Sequence, residues 1–524
     1  MGVCRWGDGR MEGDGQRCSP VIVPCSTLSL LLFTLEDASQ RHHVRATTFV
    51  TPAIALPWNA LLERLRLFSL YGLSISLFMA PAGVSAGMAL ICLWLLAQLL
   101  IEPQPQLPRH ALVWLTLMFA LYCLLHAFLS WVASVGLMQQ HWEVAFRWAQ
   151  LAVIVPIAYA LRGEERLVLR LLLLALMGLL LGSLWRLEWA LLFGDAKTFL
   201  DSRPGFGFPA LAYALYAGTA LIGLLALRRR CWYRSDGRRR GWGLPLWLAA
   251  LVLLAEGVVL TQARGSWLGL MVVALLGAGF WLRGQRRRHG RIPHRPLLVA
   301  ASALLLLIGL NASEIGQRLH EEQAVAEQLL RGDVPADRIT SFTLRWHAQR
   351  FGLEAWRERP WLGWGPGASY PLMAASVAAT TAETDAGAGA EAAAVDAAHE
   401  GMATTAADRL AAAAGGIWHP EDGVLKHLHN SYLELLTQLG LIGFGLWMLM
   451  AIGLLWAVYD AVRRGRLGQD LGLFLSLALL YLAFWSLFDF RMVHQDFRGY
   501  WALLAGTALS MALYRRDSVE VGGD

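Results

Sequence analysis

The stretch HNSYLELLTQLGLIGFGLWMLMAIGLLWAV, residues 429–458, decides how the chain is read. Ser431 and Glu434 have the Ser-x-x-Glu spacing of a capping box, so a helix is expected to start there. Nearly every residue that follows, to Val458, is apolar, and a helix of that length crosses a bilayer. His429 then sits just outside the first turn of a spanning helix, at the water boundary. A helix N-terminus carries partial positive charge and orphan N–H groups. That setting attracts phosphate and disfavours a second proton on an imidazole, which keeps the ring available as a base. The alternative is an interfacial histidine that only snorkels toward water.

Working outward, the whole chain has the composition of a membrane protein. Of 524 residues, 56% are hydrophobic and 16% charged, too apolar for a soluble domain of this length. The expected class is an all-α polytopic membrane protein. The net charge of +6 comes from arginines in short clusters between apolar spans. That is the positive-inside pattern and not a nucleic-acid surface, so no nucleic-acid partner is expected. The 23 tryptophans suit interfacial belts. Cys4, Cys18, Cys25, Cys92, Cys123 and Cys231 all fall in segments read as membrane-embedded or cytoplasmic, so no structural disulfide is expected.

Apolar runs predict about twelve spans, near 67–80, 83–101, 110–133, 143–161, 167–186, 208–227, 243–260, 267–282, 296–310, 431–458, 470–488 and 497–514. Alternation puts the arginine clusters and both termini on one side, taken as cytoplasmic. The other side receives the 194–207 loop, Arg264, residues 311–428, His429 and the turn Asp489–Asp496. The organisation is then a disordered or cytoplasmic tail (1–66), nine spans (67–310), one large outer loop (311–428), three spans (429–514) and a cytoplasmic tail (515–524). Within the loop, Glu321–Arg331 and Ser341–Glu358 read as helices, the second stopped by Pro360. Trp361–Gly367 reads as a tight turn. Residues 374–416 are an Ala-rich insertion with few large apolar groups to bury, expected to be flexible or weakly helical.

Several residues on the outer side could carry chemistry. Arg264 lies at the mouth of the eighth span, Arg345 on the loop helix, and Arg203 beside Pro204-Gly205. Glu256 lies inside a span and needs a partner or water. Asp489, at the end of the eleventh span, could orient a histidine or pair with an arginine. His419, Asp422, His427 and His429 are close in sequence, but no His-Glu-x-x-His or paired-Asp motif accompanies them. No resident metal and no cofactor are expected. Neither a Gly-rich phosphate loop nor a nucleophilic Ser or Cys motif is present.

His429-Asn430 followed by Gly440-x-x-Gly443 resembles the signature of the O-antigen ligase family, which also includes O-antigen polymerases and bacterial O-linked oligosaccharyltransferases. Arg264-Gly265 is similar to the family's outer arginine. Arg345, with Trp356, Pro360 and Gly363-Trp364-Gly365, is similar to its loop arginine and following turn. Asp489 stands where the family has an acidic residue after the penultimate span. The resemblance covers residues 200–510 and implies a GT-C-like membrane fold with metal-independent, inverting glycosyl transfer. It implies a glycan donor on undecaprenyl pyrophosphate, a lipid A–core acceptor, and a site on the periplasmic face of the bacterial inner membrane. His429, Arg264 and Arg345 would be catalytic, and Arg203, Asn430 and Asp489 would bind substrate. Gly440 and Gly443 would let a neighbouring helix approach closely. A polymerase or a protein oligosaccharyltransferase is the alternative within the family. A polysaccharide transporter is the alternative outside it, although transporters place ionisable groups at mid-membrane rather than at one interface.

Overall fold

The computed structural model describes residues 58–101, 110–133, 138–233, 241–289, 341–376, 418–419 and 423–514, together with Gly309 and Gly316. These residues are helical apart from turns and one two-residue strand pair. The helices are α1 (Trp58–Ser76), α2 (Pro81–Ile101), α3 (Ala111–Ala133), α4 (Met138–Ala149), α5 (Ile154–Leu161), α6 (Glu165–Trp185), α7 (Trp189–Gly194), α8 (Ala196–Asp201), α9 (Ala210–Ala226) and α10 (Arg228–Trp232). They continue with α11 (Gly243–Leu260), α12 (Arg264–His289), α13 (Ser341–Glu358), α14 (Ser431–Arg463), α15 (Gln469–Trp485) and α16 (Gln495–Leu513). Strands β1 (Trp418–His419) and β2 (Gly423–Val424) pair antiparallel, Trp418 opposite Val424. Among the described residues, seven helices are long and apolar enough to cross a membrane, and α9 and α15 are shorter apolar helices. The ninth expected span, the expected helix Glu321–Arg331 and most of the Ala-rich insertion lie outside the described residues.

The most enclosed element is α16, buried at every residue from Phe497 to Ala512. It packs on α5, α14 and α2. Small residues allow the close approach: a Cβ on Gly506 would meet the Ile157 side chain at 2.6 Å. Next to α16, α14 packs against α3, α13 and α15, and α15 packs against α9 and α12. Polar side chains mark the register. The Tyr481 hydroxyl donates to Ala214 O at 3.0 Å, and Trp485 Nε1 donates to Leu211 O at 3.1 Å.

The two ends of this bundle differ chemically. At one end Arg230 pairs with Glu165 and Asp470, and Arg466 pairs with Asp460 at 2.6 Å. The other end gathers the start of α12, the start of α14, the end of α15 and the start of α16. There Ser431 N–H donates to Ser486 O at 2.8 Å, and its hydroxyl donates to Asp489 O at 2.7 Å.

Several expected helix bounds differ from those found, among them the eighth span, expected at 267–282 and found as Arg264–His289, and the tenth, which runs past 458 to Arg463. The first helix starts at Trp58 rather than near 67. Residues up to 66 were expected to form a tail, but Arg66 is buried, bonded to Glu63 and to the Ala160 carbonyl. The fourth span is divided, α4 passing through a 3-10 turn at Gln150–Val153 into α5. Pro156 has no N–H to offer the Ala152 carbonyl, which removes one α-helical bond at that point.

Candidate active site

His429 immediately precedes Asn430, the cap of α14, and its backbone is left-handed at φ +52°. A non-glycine residue held there costs of order 1–3 kcal/mol and persists when its surroundings over-determine it. Those surroundings are specific. Asn430 caps α14, its Oδ1 accepting the N–H of Tyr432 at 3.0 Å and of Leu433 at 3.2 Å. The expected Ser431–Glu434 capping box is therefore not what starts the helix. Asn is at least as good a cap as Ser, and Ser431 turns instead to Asp489 O. Glu434, fully buried one turn in, reaches back past the cap to accept the Leu428 N–H at 2.9 Å. Both neighbours of His429 are thus tied to the first turn.

The imidazole faces a carboxylate. His429 Nδ1 lies 3.3 Å from Asp489 Oδ1, and Asp489 is only 6% exposed. Burial raises the Asp489 carboxyl, but the contact with His429 and the neighbouring His427 outweigh it, so the group stays below its ordinary value. The 3.3 Å approach is an ion-pair distance outside hydrogen-bond geometry, and Nδ1 is buried with no hydrogen-bond partner among the described residues. A proton on Nδ1, facing the carboxylate, would leave Nε2 as an acceptor. The His427 ring packs against His429 at 4.2 Å between centroids, tilted by 59°. Burial, and then the neighbouring His429, push the His427 imidazole down to about 3, so it is neutral. His427, His429 and Asp489 each place one donor atom within 4.8 Å of the others, the group among the described residues best arranged to hold a metal ion.

The three expected arginines stand at different depths in this arrangement. Arg345, half-buried on α13, has its guanidinium pKa lowered by burial and raised in part by Asp489, which puts it within electrostatic reach of the pair. Its helix is seated beside His429 by a small core of Ala348, Phe351, Ala355, Met373 and Leu428. Arg264 opens α12, and Gly265 lies so close to Phe488 that a Cβ would meet the ring at 2.6 Å. The Arg264 backbone is thereby set against the turn that carries Asp489. Arg203 is exposed on the neighbouring turn, which is joined to the Arg264 turn by Gln262 Nε2 donating to Leu200 O at 3.3 Å. Like His429, Arg203 and Gln262 have positive φ, at +51° each.

Residues 248–409 match the family model described as O-Antigen ligase. This stretch carries an O-antigen ligase family domain. It is the family that the motifs resemble, and the match holds Arg264 and Arg345 while ending short of His429 and Asp489. No curated protein matches the chain. With its apolar helices, the O-antigen ligase domain makes this a multi-pass membrane protein with glycosyltransferase-type activity in general.

Gly443 does admit a neighbouring helix, since a Cβ there would meet the Tyr122 ring of α3 at 2.8 Å, but Gly440 does something else. Gly440 has φ +63° and ψ −169°, so α14 is broken there. The Trp361–Gly365 turn fills the break and takes up the freed backbone groups. Trp364 N–H donates to Thr437 O at 2.9 Å and Gly365 N–H to Gln438 O at 3.0 Å. Leu441 N–H donates to Pro360 O at 2.8 Å and Ile442 N–H to Trp361 O at 3.2 Å. The Tyr122 hydroxyl from α3 donates to Leu439 O at 2.6 Å. A Cβ on Gly440 would run into the Trp361 carbonyl. The turn follows α13 directly, so this clamp fixes the helix bearing Arg345 to the helix that follows His429.

Two sets of residues beside the site were missed in the sequence. Gln438 is a buried hub: its Oε1 accepts from Trp148 Nε1 at 3.0 Å and from Gly367 N–H at 2.8 Å, and its Nε2 donates to Glu434 at 2.7 Å. Arg491 pairs with Asp496 at 3.0 Å, and Asp496 also accepts from the Tyr216 hydroxyl at 2.8 Å. Burial works against the Arg491 charge, but Asp496 and Tyr216 more than restore it. Their signal was a polar residue inside an apolar run, and a second basic group in the turn already read as lying beside the site.

Proposed function

We propose that this chain is an O-antigen ligase that transfers glycan from undecaprenyl pyrophosphate to a sugar hydroxyl of lipid A–core at the periplasmic face of the inner membrane. The observation that carries the reading is His429 Nδ1 at 3.3 Å from the buried Asp489, with Arg345 in electrostatic reach. A sugar hydroxyl does not ionise unaided at neutral pH. His429, oriented through Nδ1 by Asp489, takes the hydroxyl proton on Nε2 as the oxygen attacks the anomeric carbon. Positioned proton transfer of this kind is worth roughly 10²–10⁴-fold. The new carbon–oxygen bond forms on the face opposite the leaving pyrophosphate, so the anomeric centre inverts. The phosphoester bond that breaks supplies the energy, and no nucleotide is needed.

Departure of pyrophosphate concentrates charge on its oxygens. Arg264 and Arg345 meet that charge with bidentate hydrogen bonds, the task a divalent ion performs elsewhere. Exposed Arg203 serves the outer part of the donor. Asn430 acts chiefly through its side-chain cap, by starting the helix that positions His429. About twelve spans, with the arginine clusters inside and this site outside, complete the reading.

His429→Ala and Arg264→Ala should each abolish glycan transfer while protein level and membrane insertion are unchanged. Normal transfer by either variant overturns its role. A lipopolysaccharide gel from a deletion strain separates the acceptors. Rough lipid A–core with accumulated lipid-linked polymer supports the ligase. A single-repeat cap points to a polymerase, and normal lipopolysaccharide with an unglycosylated protein points to an oligosaccharyltransferase.

A further inference from the structure

We propose that His427, His429 and Asp489 form a zinc site whose occupation switches the base off. The 3.3 Å between His429 Nδ1 and Asp489 Oδ1 is the edge of a tetrahedron around an ion with bonds near 2.0–2.1 Å. The third donor, from His427, lies within 4.8 Å of both, on a ring tilted 59° to that of His429 with 4.2 Å between centroids. The donors stand on a fixed frame. Ser431 holds the Asp489 backbone, Glu434 holds Leu428, and Asn430 caps the helix beside them. Two imidazoles and one carboxylate leave a fourth position for water, as zinc sites with three protein ligands do. Such a set prefers zinc or copper over magnesium, which demands near-octahedral oxygen ligation.

The consequence for transfer rests on the reading of His429 as base. A neutral imidazole with a metal on Nδ1 carries its proton on Nε2. That is the atom which must accept the proton of the attacking hydroxyl. Zinc therefore turns the acceptor nitrogen into a donor, with no net proton released, and takes Asp489 away from the imidazole. The ion would be an inhibitor and not a resident cofactor.

The test uses the full chain in lipid nanodiscs, stripped with EDTA and then exposed to zinc chloride or magnesium chloride. Metal retained after gel filtration is measured by elemental analysis, and transfer is assayed in parallel. The expected result is stoichiometric zinc on the native chain, no magnesium, and loss of the zinc in both His427→Ala and His427→Gln. Transfer by the native chain should fall at least tenfold with zinc and recover with EDTA, while the ratio of rates with and without zinc stays near one in the His427 variants. A native chain that retains no zinc, or variants that retain as much, overturn the site. Equal inhibition of native and variant chains overturns the switch. Zinc held by the native chain and lost in the variants, with no transfer detected in any sample, upholds the site and counts against the proposed function instead.

Discussion

Replacing Gly440 with alanine should damage the site from a distance. The backbone there, φ +63° with ψ −169°, lies in a region essentially reserved for glycine, and forcing another residue into it costs of order 1–3 kcal/mol. The added Cβ also collides with the Trp361 carbonyl, so the Trp361–Gly365 turn must move. Moving it threatens four backbone hydrogen bonds, each worth roughly 0.5–1.5 kcal/mol. A local loss of about 3 kcal/mol is a conservative sum, and it corresponds to roughly a hundredfold faster opening. The assay is hydrogen exchange at the amides of Trp364, Gly365, Leu441 and Ile442, together with the transfer rate. Gly443→Ala is the milder companion, because its Cβ meets only the Leu439 and Tyr122 side chains. Gly445→Ala is the neutral control, with nothing within 4 Å. The expected order of damage is Gly440, then Gly443, then Gly445. Exchange in Gly440→Ala that matches Gly445→Ala refutes the clamp.

Three further outcomes follow from the same geometry. Gln438→Ala orphans Trp148 Nε1, the Gly367 N–H and a Glu434 oxygen, at about 1–3 kcal/mol for each buried group; it should lower the melting temperature more than Trp148→Phe, and the reverse order contradicts the hub. Asp489→Asn keeps the shape but loses the charge, so transfer should fall roughly 10²–10⁴-fold with little change in donor binding; a pure binding defect argues against an orienting carboxylate. The third concerns pH: the folded His427 value of about 3 lies below the unfolded one, so its contribution is complete above pH 6.5 and is lost as pH falls. The loss approaches about 1.4 kcal/mol per pH unit between those values, read as lower amide protection factors, corrected for the intrinsic exchange rate, at residues 425–430 at pH 5 than at pH 7. Protection that is flat over that range contradicts a buried neutral imidazole.

Much of this architecture was legible because apolar length is a strong signal. The runs expected near 167–186, 243–260 and 431–458 are found as helices opening at Glu165, Gly243 and Ser431, and Pro360 ends the loop helix within two residues of Glu358. The gathering of Arg264, His429 and Asp489 at one end followed from alternation alone. What escaped were competitions between near-equal partners. Asn430 and Ser431 are both good caps, and the choice depends on Asp489 O waiting for the Ser431 hydroxyl. The break at Gly440 was hidden because hydropathy averages over it, and its filler lies some 75 positions away in sequence at Trp361–Gly365. The contact of His427 and His429 with Asp489 likewise spans a whole helical hairpin, α14 and α15, that no local spacing measures.

The claim on which the rest depends is that His429 and Asp489 act as one unit. The direct measurement is a double-mutant cycle on the transfer rate, with His429→Gln, Asp489→Asn and the pair assayed on the same lipid-linked donor. Once the imidazole is gone, Asp489→Asn should cost nothing more, so that the double variant transfers as slowly as His429→Gln alone. Losses that multiply would mean the two residues act independently, and the orienting pair would be wrong.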